Sequence, residues 1–128
     1  MCLGPVIFSI LDEVLTLLGQ PAEYWSGNFD QVLEWNPLAN WALCQDPTYF
    51  VIGSLFWAVI YCTSILCLPA NAARVLAFLV QFGHTLGASS WLARMGPVGW
   101  VAAVALIAIS RLVLDFTWKR AGKIGLSH

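Results

Sequence analysis

Two adjacent carboxylates, Asp12 and Glu13, fall in the middle of an otherwise apolar run, MCLGPVIFSILDEVLTLLGQ. Arg111 and Asp115 interrupt a second apolar run four residues apart, and His84 interrupts a third. An ionisable group in a membrane interior is expensive, on the order of 2.5–3.5 kcal/mol for Asp or Arg at a helix centre. Such residues persist where they pair with one another or carry function. At about 1.5 Å of rise per residue, Asp12 stands roughly 13 Å and Arg111 roughly 11 Å from the same side of their runs. The expectation is therefore an Asp12–Arg111 pair, with Asp115 one helical turn away sharing the guanidinium. The cluster Asp12, Glu13, Arg111 and Asp115 then serves either as a structural clamp or as a proton or ion path.

His84 lies in Gly83-His84-Thr85-Leu86-Gly87-Ala88-Ser89-Ser90. A neutral imidazole on a helix can donate to a metal, which makes His84 a candidate axial ligand for a haem or chlorin. The only other histidine is His128, so a bis-histidine haem within the chain is excluded. A five-coordinate pigment, or a haem shared with a partner, is the functional reading. The alternative is a histidine hydrogen-bonded across a helix interface. In the same stretch Gly83-x3-Gly87, extended by Ser90, forms a small-residue face of the kind that lets membrane helices approach closely. It predicts packing on the following segment, which offers Ala102, Ala103, Ala105 and Ala108, with a contact to another protein as the alternative.

Other chemistries find little to use. Cys2, Cys44, Cys62 and Cys67 contain no CxxC pair and read as small apolar fillers. Gly87-Ala88-Ser89 lacks the glycine that follows an intramembrane-protease serine, and His84 shares its helix. No Walker loop, GxGxxG or zinc-ligand spacing occurs. The expectation is a chain that is not an enzyme.

Composition says what must hold these residues. Hydrophobic residues make up 59% of the 128 and charged residues only 10%, against about 25% charged in an average soluble domain. Six Lys and Arg with seven Asp and Glu are too few to cover a water-facing surface of this size. A net charge of −1 also excludes a basic nucleic-acid-binding face. The fold class expected is all-α: a polytopic membrane protein in one domain.

Four transmembrane helices are expected, at residues 3–19, 47–68, 71–92 and 97–118, since about 20 residues cross about 30 Å of hydrocarbon. Residues 1–11 carry no cation and the run meets Asp12-Glu13 rather than a small-residue cleavage site, so it reads as a helix and not a signal peptide. Asp46-Pro47 is an N-cap and first-turn pair, Pro69-Ala70-Asn71 ends one helix and caps the next, and Gly96-Pro97 separates the last two. Residues 20–46 form a polar, tryptophan-rich connection at the headgroup level. Within it Asn36 caps a short interfacial helix from Pro37 to about Cys44, and Glu34 reaches back at the corner. Lys119, Arg120, Lys123 and Arg74 place both termini and the 69–71 turn in the cytoplasm, in an inner-type membrane, with the loop outside.

Asp12-x3-Thr16, then Glu34-x-Asn36-Pro37, then Tyr49-Phe50 resembles a group of small bacterial integral membrane proteins of unknown function that carry a D-x3-T helix and an E-x-N-P turn. The resemblance covers about residues 8–60 and implies a small helical bundle without implying an activity. The function expected from the sequence is a non-catalytic accessory subunit of a larger respiratory or photosynthetic membrane complex, partnered by other membrane subunits and lipids. The alternatives are a small ion- or proton-conducting protein using Asp12 and Arg111, and a haem or chlorin holder using His84.

Overall fold

A computed structural model describes the backbone of residues 1–123 and the side chains of residues 1–119; the side chains of Arg120 and Lys123, and all of His128, lie outside the described residues. The described chain is all-α. Its helices are α1 (Leu3–Leu18), α2 (Ala22–Trp25), α3 (Pro37–Gln45), α4 (Pro47–Cys67), α5 (Ala70–Ala93) and α6 (Pro97–Lys123), with a 3-10 turn at Phe29–Gln31.

Local chemistry sets most of these limits. Asn36 Oδ1 accepts the Leu38 N–H at 3.1 Å, and Pro37 occupies the first position of α3. Asp46 Oδ1 accepts the Thr48 N–H at 2.7 Å ahead of Pro47 and α4. Both are side-chain oxygens replacing a partner that the first helical turn lacks. Gly96 turns the chain into α6 with φ of 81°, a conformation that favours glycine. Asn71 does not cap α5 as expected: the helix starts one residue earlier, Pro69 is the N-cap, and no side chain bonds there.

Among the described residues, three helices are long and apolar enough to cross a membrane: Pro47–Cys67, Ala70–Ala93 and Pro97–Lys119. This corrects the expected count of four. The sequence segment at residues 3–19 becomes a helix of 16 residues, about 24 Å long against about 30 Å of hydrocarbon. Its centre also carries Asp12 and Glu13. The helix spends its small face on protein: Gly4, Pro5, Phe8, Ser9 and Thr16 are buried. Only 17% of the apolar window of α4 is buried, and its exposed residues include Leu55, Phe56, Val59 and Leu66. A surface this apolar is consistent with a membrane-associated helix, because left bare in water it would aggregate.

Side-chain meetings define the layout. Met1 and Cys2 pack on a core of Tyr61, Ile65, Ala73, Ala77 and Val80. Gly4 abuts Gln81, Gly87 abuts Asp12, and Gly19 abuts Trp91, so α1 runs alongside α5 in the same direction. Helix α6 returns antiparallel along a polar seam. Gln81 Nε2 donates to the Ser110 carbonyl at 2.7 Å and to Ser110 Oγ at 3.0 Å, and Thr85 Oγ1 lies 2.8 Å from Ser110 Oγ. In lipid, where apolar packing gains little, such bonds and close contacts hold helices together.

The connection between α1 and α4 folds into a second core of Tyr24, Ala42, Leu43 and Phe50. The Tyr24 hydroxyl donates to the Leu43 carbonyl at 3.1 Å, and burial pushes its phenol pKa up. Gln20 Oε1 accepts the Leu33 N–H at 2.9 Å, tying the returning strand of chain to the end of α1.

Candidate functional site: an acidic, aromatic groove

Helices α1, α3, α4 and α5 leave a groove of about 940 Å³ between them. It exists because α5 is packed closely by α1 on one side and α6 on another, while α4 meets it mainly near the Tyr61–Ile65 end. Toward the other end α4 and α5 part, and α3 closes over the gap. Trp41, Tyr49, Phe50, Phe56, Trp57 and Trp91 supply aromatic surface, and Asp12, Glu13 and His84 the polar floor. A volume of this order suits a drug-sized organic molecule.

His84 Nδ1 stands 2.9 Å from Asp12 Oδ2, each side chain 20% exposed. An Nδ1–H donated to the carboxylate leaves the acceptor lone pair of a neutral imidazole on Nε2. This is the hydrogen bond across a helix interface that the sequence offered as one reading of His84. Glycine at 87 permits it, since a Cβ there would stand 2.5 Å from Asp12 Oδ1. Beside the pair, Glu13 Oε1 accepts the Ser9 hydroxyl at 2.9 Å, one turn back on α1.

The four charged residues grouped by sequence do not form one cluster. Asp12 takes His84, and Arg111 instead pairs with Asp115 at 3.2 Å, with side chains 65% and 40% exposed. Ala103, Ser110, Leu114 and Thr117 form the buried stripe of α6. Arg111 is one residue past Ser110, about 100° around the helix, and so faces outward, away from α1. The expected Asp12–Arg111 pair is therefore corrected to two separate pairs.

The small-residue face is also redirected. Gly87 meets α1, a Cβ at Gly83 would find open space, and Ser90 donates to the Gly87 carbonyl at 2.7 Å on the groove wall. The adjacent stripe Gln81, Thr85 and Ser89 faces α6, not the glycines as expected. At the mouth, Glu34 Oε1 accepts the Trp35 and Asn36 N–H groups, both at 2.8 Å, so it orders its own turn before Asn36 and Pro37.

Sequence reasoning missed Gln81, Ser9, Ser110 and two of the groove aromatics of α4, Phe56 and Trp57. Gln81 had a usable signal, a lone amide inside LVQF; Trp57 and Phe56 had none, being aromatics among aromatics. Among the described residues, no three His, Cys, Asp or Glu side chains converge to hold a metal ion. No protein-family model, curated protein or solved structure matches the chain.

Proposed function

We propose that this chain is a membrane-embedded binding protein whose working part is the groove between α1, α3, α4 and α5. One observation carries the reading: an aromatic-walled space of about 940 Å³ with the Asp12–His84 pair and Glu13 on its floor. A lipid tail needs no polar floor. Ionisable groups are costly at this depth, and a guest with a polar or charged centre gives them a partner.

The orientation that supports this role puts the α4–α5 turn and the Lys119 end of α6 in the cytoplasm of an inner-type membrane, following the basic residues. The N-terminus belongs on that side too, because α1 runs in the same direction as α5, Gly4 against Gln81 and Gly19 against Trp91. The groove mouth at α3 then faces the opposite side.

Gly83→Leu provides the test. Position 83 lines the groove and has nothing within 4 Å of a Cβ, so a leucine there projects its side chain into the groove from an unobstructed Cβ. It also raises helix propensity by roughly 0.5–1 kcal/mol. Protein purified in mild detergent is expected to retain a small organic guest by native mass spectrometry, and G83L to lose it while melting no lower than wild type. Equal guest retention by a well-folded G83L would refute the groove as the binding site.

A second reading, the non-catalytic subunit of a larger membrane complex, is favoured by the same vacancy at Gly83. An open position in a small-residue face suits a partner helix. Co-purification of a stoichiometric membrane partner, lost in G83L, would support it over the first.

A further inference from the structure

Resting on the groove reading, we propose that the guest is a lipophilic organic cation: a quaternary or delocalised positive charge carried on an apolar, aromatic body. The charge balance of the lining is the first argument. The groove presents Asp12 and Glu13 on the floor and Glu34 at the mouth, with no Lys or Arg among its lining residues and His84 as its one basic group. Even with His84 protonated, Asp12 and Glu13 share that single positive charge, and the hydrogen bonds to Glu13 come from the neutral hydroxyls of Ser9 and Ser54. A carboxylate in a low-dielectric site must either take up a proton or find a cation.

The aromatic walls are the second argument, independent of the first. Aromatic faces are negative, and a cation within about 6 Å of a ring centroid is attracted to it, most strongly where water is excluded. Trp41, Tyr49, Phe50, Phe56 and Trp57 line the same groove as Asp12 and Glu13. The chain already uses this chemistry next door, where the Arg94 guanidinium lies 4.0 Å from the centroid of the Trp91 ring. An anionic guest would meet negative charge and negative ring faces together. A neutral guest would leave the two carboxylates to share one imidazole.

Tetraphenylphosphonium and tetraphenylborate have nearly the same size and shape with opposite charge, so they isolate the sign. Binding is measured by equilibrium dialysis to the full chain in lipid nanodiscs, with empty nanodiscs as the blank. The expected result is saturable binding of about one phosphonium per chain, at least about tenfold tighter than the borate. Gly83→Leu should abolish it, and Glu13→Gln should weaken the cation by about tenfold or more while sparing the anion. Because the two ions are compared on the unaltered protein, the test survives a failure of E13Q to fold. Equal affinities, or tighter borate binding, both blocked by G83L, would overturn the cation assignment and leave the groove reading intact. Phosphonium binding that G83L does not change would overturn its placement in the groove. Saturable binding of neither ion would overturn this inference and count against the groove reading itself.

Discussion

At the residue scale the decisive event is the choice of partner made by Asp12. A buried carboxylate without a hydrogen-bonding partner costs roughly 1–3 kcal/mol or more, and His84 removes that cost from across the α1–α5 interface at 2.9 Å. Asp12→Ala and His84→Ala should each destabilise the protein, by about 1–3 kcal/mol. The double variant should lose less than the sum, with a coupling energy of about 0.5–3 kcal/mol. Unfolding of the four proteins in mixed micelles gives the cycle, and additive losses would mean the pair is not coupled. Arg111→Ala, by contrast, removes an exposed i,i+4 pair and should change stability by less than about 0.5 kcal/mol.

At the scale of elements, two devices hold the helices in place: caps at their starts and polar seams along their sides. Asp46 caps α4, and hydrogen bonds from the Thr48 hydroxyl and backbone N–H hold its carboxyl below the ordinary value of 3.8. A group whose folded pKa is depressed stabilises the fold above its unfolded pKa and loses that contribution as pH falls through the folded one. The melting temperature of Asp46→Ala should thus lie below wild type by a constant margin above about pH 5, with the gap closing below about pH 4. A gap independent of pH would show that the carboxylate is not the cap. The seam between α5 and α6 turns on Gln81, whose amide serves two Ser110 acceptors. Gln81→Leu keeps the volume but forfeits both bonds, and should cost on the order of 1 kcal/mol, read as a lowered unfolding midpoint. No loss would place the α5–α6 association in packing alone.

Across the whole molecule, three candidate spans put the two ends of α4 on opposite sides of a bilayer. Cys44 in α3 precedes α4 and Cys67 closes it, and both are free thiols, partly or fully exposed. In single-cysteine variants expressed in intact cells, a membrane-impermeant maleimide should label one of these two and spare the other until the membrane is opened. The basic residues predict that Cys44 is the one labelled first. Labelling of both in intact cells would show that α4 does not cross. The groove belongs to this scale as well, since no single helix contains it: α1 provides Asp12 and Glu13, α3 and α4 most of the aromatics, and α5 His84 and Trp91.

The sequence by itself determined that the chain is helical and apolar, and it located α3, α4 and α5 to within a residue and the start of α6, which runs five residues further than expected. Those properties come from local chemistry: uninterrupted apolar runs, a side-chain oxygen before a proline, a glycine where φ is positive. Helix α1 was located to within one residue, yet with only 16 residues and Asp12 and Glu13 among them it is not one of the helices long and apolar enough to cross a membrane. Only the tertiary structure decided the partners. Spacing along one helix says that Arg111 and Asp115 are neighbours, because both positions share one cylinder. Whether Arg111 or His84 meets Asp12 depends on how three helices are rotated about their axes. That rotation is set by Gly87 admitting the Asp12 carboxylate and by Gln81 and Thr85 bonding Ser110, contacts between residues that sequence order keeps far apart.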